Sequence, residues 1–141
     1  MVTEQQARVS IETTYERLAT AWAVGDATAI GSLLASDCDH KTLGAAGQVK
    51  RGRTALVESW ADAFSRRCPD FSVRLQPSLH AVRLLGNNLA LVDGNLDYTS
   101  GVGPRGTTQR PHTQPFSAIM TLSDAEWLML SIRVGGSQRP D

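Results

Sequence analysis

The chain lacks charge of either sign in excess, lacks long apolar runs, and is poor in cysteine. Lys+Arg number 14 and Asp+Glu 14 in 141 residues, so the formal net charge is zero. Such a chain has no global field to attract nucleic acid or an anionic membrane, and no arginine-rich block supplies one locally. Its apolar runs are a few residues long, far below the roughly 20 needed to span a bilayer. The opening Met1-Val2-Thr3-Glu4-Gln5-Gln6 is polar and carries no apolar leader. These absences predict a cytoplasmic protein with no membrane and no nucleic-acid partner. The two cysteines, Cys38 and Cys68, are too few for a disulfide framework and have no metal-ligand spacing, so both are expected as free thiols. No internal repeat and no linker divides the chain, and 141 residues suit one domain, 1–141, with a real core.

What is present is a change of period. Ile11, Tyr15, Leu18, Ala19 and Trp22 recur at helical spacing and predict a helix from about Glu4 to Val24. Thr3 and Gln6 form a capping box at its start, and Gly25 suits the left-handed position at its end. Asp26 caps a second helix that buries Ile30, Leu33 and Leu34 and stops at Ser36-Asp37. Cys38 to Leu43 reads as a short strand, and Gly44 to Gly47 as a loop. Leu56, Trp60 and Phe64 give the inward stripe of a third helix, Arg53 to about Arg67, which Cys68-Pro69 ends.

From Phe71 the period is two. One long strand runs to Leu85 with a bend or bulge expected at Pro77. Asn87-Asn88 is read as a hairpin turn that tolerates positive φ. Strands follow over Leu89 to Thr99, Gln109 to Leu122 and Trp127 to Val134. Gly101 to Thr107 separates two of them as a glycine-rich loop, and Ser123-Asp124-Ala125 turns into the last. The tail from Gly135 to Asp141 is expected to fray.

The segments Ala21-Trp22-Ala23-Val24-Gly25-Asp26, Leu33-Leu34-Ala35-Ser36-Asp37 and Gly52-Arg53, the hairpin from Val82 to Val92, and the late Trp127 carry a resemblance. Together they span nearly the whole chain, which resembles the nuclear transport factor 2-like superfamily and within it the SnoaL-like and SgcJ/EcaC-like bacterial branch. The resemblance implies a cone-shaped α+β fold, with three N-terminal helices packed on a curved, mostly antiparallel sheet that encloses an apolar pocket. It also implies a homodimer. Ketosteroid isomerases, polyketide cyclases and limonene epoxide hydrolases share this fold, and fold alone does not transfer function. By the matching register, the isomerase base falls at Thr42, its helix-one tyrosine donor at Leu18 and its acidic donor near Ser117. None of the three groups is present, which argues against a standard ketosteroid isomerase. The epoxide hydrolase Asp-Arg-Asp set is not recognisable either.

His40 is the strongest chemical candidate. It shares a strand face with Cys38 and Thr42, and the resemblance turns that face into the pocket, where an imidazole can act as acid or base. The bland alternative is a histidine hydrogen-bonded in the wall. Asp93, Asn95 and Asp97 share one face of their strand. If that face points inward, Asp97 can join His40 in an acid-base pair. If it points outward, the carboxylates meet solvent or a subunit interface, and a one-residue register decides between the two. His80 and His112 lack ligand-spaced neighbours, so no metal is expected. Where many relatives carry a histidine on the last strand, this chain has Ser131-Ile132-Arg133-Val134; Arg133 suits an anionic group or plain solvent. Neither glycine loop has the ending of a phosphate loop.

The expected pocket is therefore lined by Tyr15, Leu18, Trp22, His40, Thr42, Trp60, Ser117, Leu130 and Ile132, with His40 and Asp97 as catalytic candidates. It is expected to take a small hydrophobic molecule without a cofactor, by isomerase, cyclase or hydrolase chemistry. The alternatives are a non-catalytic binder or a dimerisation module.

Overall fold

The computed structural model describes residues 2–43, 48–102 and 108–135. The loop expected at Gly44 to Gly47, the 103–107 part of the next glycine loop and the tail over 136–141 lie outside the described residues.

Helix α1 covers Glu4–Val24. Its capping box forms: Gln6 N donates to Thr3 Oγ1 at 3.1 Å, and Thr3 N to Gln6 Oε1 at 3.0 Å. Gly25 ends it at φ 72°, a backbone that a Cβ would strain. Helix α2 is one short turn and a half, Ala27–Gly31, with Ala29 N donating to Asp26 Oδ1 at 3.0 Å. It stops earlier than the apolar spacing predicts because Leu34 is drawn into the sheet. Met129 N donates to Leu33 O at 2.9 Å, and Leu34 pairs with Met129. Strand β1 accordingly begins at Leu34 and runs to Thr42. Tertiary pairing here overrides local helical periodicity.

A two-residue strand, β2 (Lys50–Arg51), precedes helix α3 (Arg53–Ser65). The sequence shows no signal for β2, since two residues carry no period. Four long strands complete the chain: β3 (Ser72–Leu84), β4 (Leu89–Val102), β5 (Thr108–Ser123) and β6 (Glu126–Val134). They form one curved sheet in the order β2-β1-β6-β5-β4-β3, antiparallel throughout except for the β1–β6 pair. The sheet stays open and does not close on itself.

Three irregularities place side chains in ways that strict alternation does not. In β3 the chain passes Pro77 without a break, and the register shifts between Leu79 and Ala81 instead. In the β3–β4 turn the positive φ falls on Gly86, at 156°, and not on the two asparagines. In β6, Met120 pairs with Met129 while Ile119 pairs with Ser131, so Leu130 is the extra residue of a bulge.

The core lies between the concave face of the sheet and the helices. Ile11, Ile30, Leu34, Leu56, Val92, Met120 and Cys38 are its largest fully buried members. Helix α1 lies chiefly against β3. Two of its polar side chains reach that strand's backbone: Arg8 Nη2 donates to Leu79 O at 2.6 Å, and Glu4 Oε1 accepts from Leu84 N at 3.3 Å.

Candidate functional site

Between helices and sheet lies a cavity of about 560 Å³, a size suited to a small organic ligand. Helix α1 contributes Tyr15, Leu18 and Trp22, three- and four-residue steps on one face. Strand β1 contributes His40 and Thr42; helix α3 and the turn after it contribute Trp60, Ala63, Phe64, Arg67 and Phe71. The inward residues of β4, β5 and β6 close the wall.

Aromatic residues are scarce in this chain: three Phe, two Tyr and three Trp. Seven of them, all but Trp127, line this one cavity. Trp22 is their hub, meeting Phe64 edge-on at 5.3 Å, Tyr98 at 6.1 Å and Trp60 at 6.3 Å between ring centroids. Tyr15 stacks on Phe116 at 5.0 Å, and Tyr98 on His112 at 4.8 Å with the rings 6° from parallel. No hydrogen bond engages the indole N–H of Trp22 or Trp60 among the described residues, so the cage also has donors to offer.

His40 meets Trp60 edge-on at 5.9 Å. Its ring has no hydrogen-bond partner among the described residues. Burial, then the positive charges of Arg133 and Lys50, lower its pKa from 6.5, against a weaker opposing pull from Asp39. Neutral imidazole, with one nitrogen free to accept a proton, is therefore the resting form near neutrality. Among the described residues the Tyr15 hydroxyl has no hydrogen-bond partner either, and burial raises its pKa well above the ordinary phenol value, so it stays a donor. Tyr98 is pushed up to about 12 by burial and donates to Gln114 Oε1 at 3.2 Å. Cys38 is buried; burial and then the negative charges of Asp39 and Asp37 push its thiol up to about 12, which leaves it an unreactive core residue.

Of the residues expected at the pocket, all but Ser117 and Leu130 line the cavity. Ser117 points to the convex face, because Phe116 and Ala118 take the inward positions; its hydroxyl donates to Asp93 Oδ1. Leu130 is carried outward by the bulge, which lets Met129 and Ile132 both face the cavity. Asp97 is likewise corrected to the convex face. Leu96 and Tyr98 on either side of it are buried inward, and Asp97 is exposed and accepts from Thr113 Oγ1 at 2.7 Å. Asp97 and His40 therefore lie on opposite faces of the sheet and form no acid-base pair. Arg133 is also convex: its guanidinium and the Ser131 hydroxyl donate to Asp39 Oδ1 at 2.7 and 2.6 Å.

Sequence reasoning missed Arg67, Phe71, Tyr98, His112 and Gln114 as cavity residues. For Tyr98, His112 and Gln114 the signal was available, since Leu96, Tyr98, His112, Gln114 and Phe116 alternate correctly once the inward face of β4 is known. Among the described residues no group of three or more His, Cys, Asp or Glu is placed to hold a metal ion. Among the described residues no helix is long and apolar enough to cross a membrane.

The fold is shared with solved structures of low sequence identity. A conserved protein from Planctomyces limnophilus DSM 3776 superposes with a TM-score of 0.77 at 14% identity, covering 96% of this chain and 99% of that chain. A putative dehydratase from the NTF2-like family, from Streptomyces avermitilis, gives 0.74 at 15% identity over 94% of this chain and 97% of its own. A ketosteroid isomerase-like protein from Erwinia carotovora atroseptica SCRI1043 gives 0.72 at 16% identity over 94% and 96%. These likenesses concern the fold alone. No curated protein matches the chain. The family model of the SnoaL-like domain matches residues 15–128, from the cavity tyrosine of α1 into the last strand. With that match over most of its length, and with the curved α+β architecture described above, the chain belongs to the SnoaL-like domain family of the nuclear transport factor 2-like fold.

Proposed function

We propose that this protein is a small-molecule pocket protein that acts on a hydrophobic metabolite by cofactor-free acid-base chemistry, of isomerase, cyclase or hydrolase type. The observation that carries the reading is the concentration of seven of the chain's eight aromatic residues around one cavity that also holds a histidine whose ring has no hydrogen-bond partner among the described residues. The rings supply apolar contact area at low entropic cost. His40 takes a proton from an acidic C–H or from an attacking water. The Tyr15 hydroxyl hydrogen-bonds the oxygen on which charge builds. The imidazolium then returns the proton, so the cycle needs no external electron or proton source.

The test is turnover of a panel of small ketones, epoxides and polyketide-like substrates by the wild type and by His40→Ala. The expected result is loss of turnover with an unchanged circular dichroism spectrum; full activity in the variant would sink the catalytic reading.

A second reading, a non-catalytic carrier, is favoured by one observation: among the described residues the cavity has no carboxylate to orient His40. It predicts ligand affinity that does not change when His40 is protonated. A homodimer and a cytoplasmic location complete the proposal, and light scattering and cell fractionation test them.

A further inference from the structure

The cavity wall has an asymmetry of charge. Among the described residues that line it there is no Asp or Glu, whereas Arg67, His40 and His112 all belong to it. Arg67 follows the end of α3. Its guanidinium sits over the Phe64 ring at 4.2 Å and faces Phe71 at 5.1 Å, and Nη1 donates to Trp22 O at 3.0 Å. The ion pairs among the described residues are Arg8–Glu12, Arg66–Asp62 and Arg133–Asp39, and Arg67 belongs to none of them. A guanidinium has five N–H donors, and the bond to Trp22 uses one. Holding α1 to α3 therefore leaves most of the head uncommitted. Two rings and a carbonyl fix its position before any ligand arrives, which reduces the entropy lost on binding.

An aromatic cage is also the usual recognition device for a cationic ligand. Here the wall decides against that. A cation would meet Arg67 with no acid among the described lining residues to balance it, while an anion would meet a partly buried, prepositioned fork that matches a carboxylate in shape.

We propose that the cavity takes an aromatic or polycyclic carboxylate, its flat body among the Trp22, Trp60 and Tyr98 rings and its carboxylate on Arg67. This deepens the pocket reading above and rests on it. His40 and Arg67 both reach the Trp22 cluster, through Trp60 and Phe64 respectively. The charge anchor and the titrating imidazole thus approach the same ring system from different elements.

The experiment compares naphthalene-carboxylate with its primary amide by titration calorimetry, at about pH 8, where an ordinary histidine is neutral. The wild type is expected to bind the carboxylate at least about tenfold more tightly than the amide. Arg67→Gln is expected to remove most of the carboxylate's advantage over the amide, read as the ratio of the two affinities within the variant, and Arg67→Lys to keep part of it. Equal binding of both probes to the wild type overturns the anion assignment and leaves the pocket reading standing. A preference that survives in Arg67→Gln overturns it too. If neither probe binds, the pocket reading falls and takes this inference with it. The wild-type comparison needs no variant, so a failure of Arg67→Gln to fold does not protect the proposal.

Discussion

Gly94 lies in the middle of β4, paired with Leu79 of β3 on one side and Phe116 of β5 on the other. Its neighbour β3 bulges at that point, between Leu79 and Ala81. The bulge pushes the Ser78 carbonyl toward Gly94, so that a Cβ built there would overlap the Ser78 oxygen and come within 3.0 Å of the Phe116 ring. Ordinary carbon contacts are about 3.5 Å or longer. The ring can yield slightly, but the carbonyl belongs to a paired strand and cannot rotate away. Gly94→Ala should therefore cost about 1–3 kcal/mol of overpacking strain. The substitution recovers about 0.4–1 kcal/mol by restricting the unfolded chain. The net loss is about 1–2 kcal/mol, or a fall in Tm of very roughly 3–8 °C for a domain of this size. Urea unfolding should show a lower midpoint with an unchanged slope. Because Phe116 stacks on Tyr15 in the cavity wall, ligand affinity should weaken as well. A Gly94→Ala variant as stable as the wild type, or more stable, would refute the close approach and the account of the bulge.

Further predictions concern the titrating groups and the caps. Burial would raise the Asp39 pKa, but the hydrogen bonds from Ser131 and Arg133 and the charges of Arg133 and Arg51 outweigh it and hold the carboxyl below its ordinary value. Its contribution is thus present above the unfolded value of about 3.9 and is lost as pH falls through the folded one. Acid unfolding curves of the wild type and Asp39→Asn should differ near neutrality and converge at low pH. For His40 the folded protein binds the proton less readily than the unfolded chain, so its contribution is complete above about pH 6.5 and declines as pH falls below it. His40→Asn should flatten that part of the stability curve, measured by urea midpoints at stepped pH. Thr3→Ala removes the capping box and should cost about 1 kcal/mol in thermal denaturation, with the cavity unchanged.

Much of the architecture was legible because it rests on local signals. Trp22-Ala23-Val24-Gly25-Asp26 fixes the end of one helix and the start of another through a positive φ and an aspartate cap. The alternation from Phe71 onward marks the strands. What failed was long-range. Leu34 reads as helical and becomes strand because β6 offers it a parallel partner. Leu130 and Ile132 share a face by arithmetic, and one bulge separates them. For Asp97, sequence could state the choice of face but not make it. The choice is made by Leu96 and Tyr98, which bury more apolar area than the aspartate could without paying for desolvation. Arg67 continues the spacing of Leu56, Trp60 and Phe64, yet its seat over the Phe64 and Phe71 rings depends on the turn after α3, whose direction only the packed structure supplies.

The contacts of Arg8 and Glu4 with β3 have a consequence for colloidal behaviour. β3 is the outermost strand on its side of the sheet and is thirteen residues long. A bare strand of that length is a template on which another chain can add. Helix α1 lies along it, and its side chains engage Leu79 O and Leu84 N, two groups that an incoming strand would need. The first turns of α1 thus act as a guard rail against edge-to-edge association. Fraying them, by heat or by loss of the Thr3 cap, should lead to aggregation before the cavity itself is disturbed.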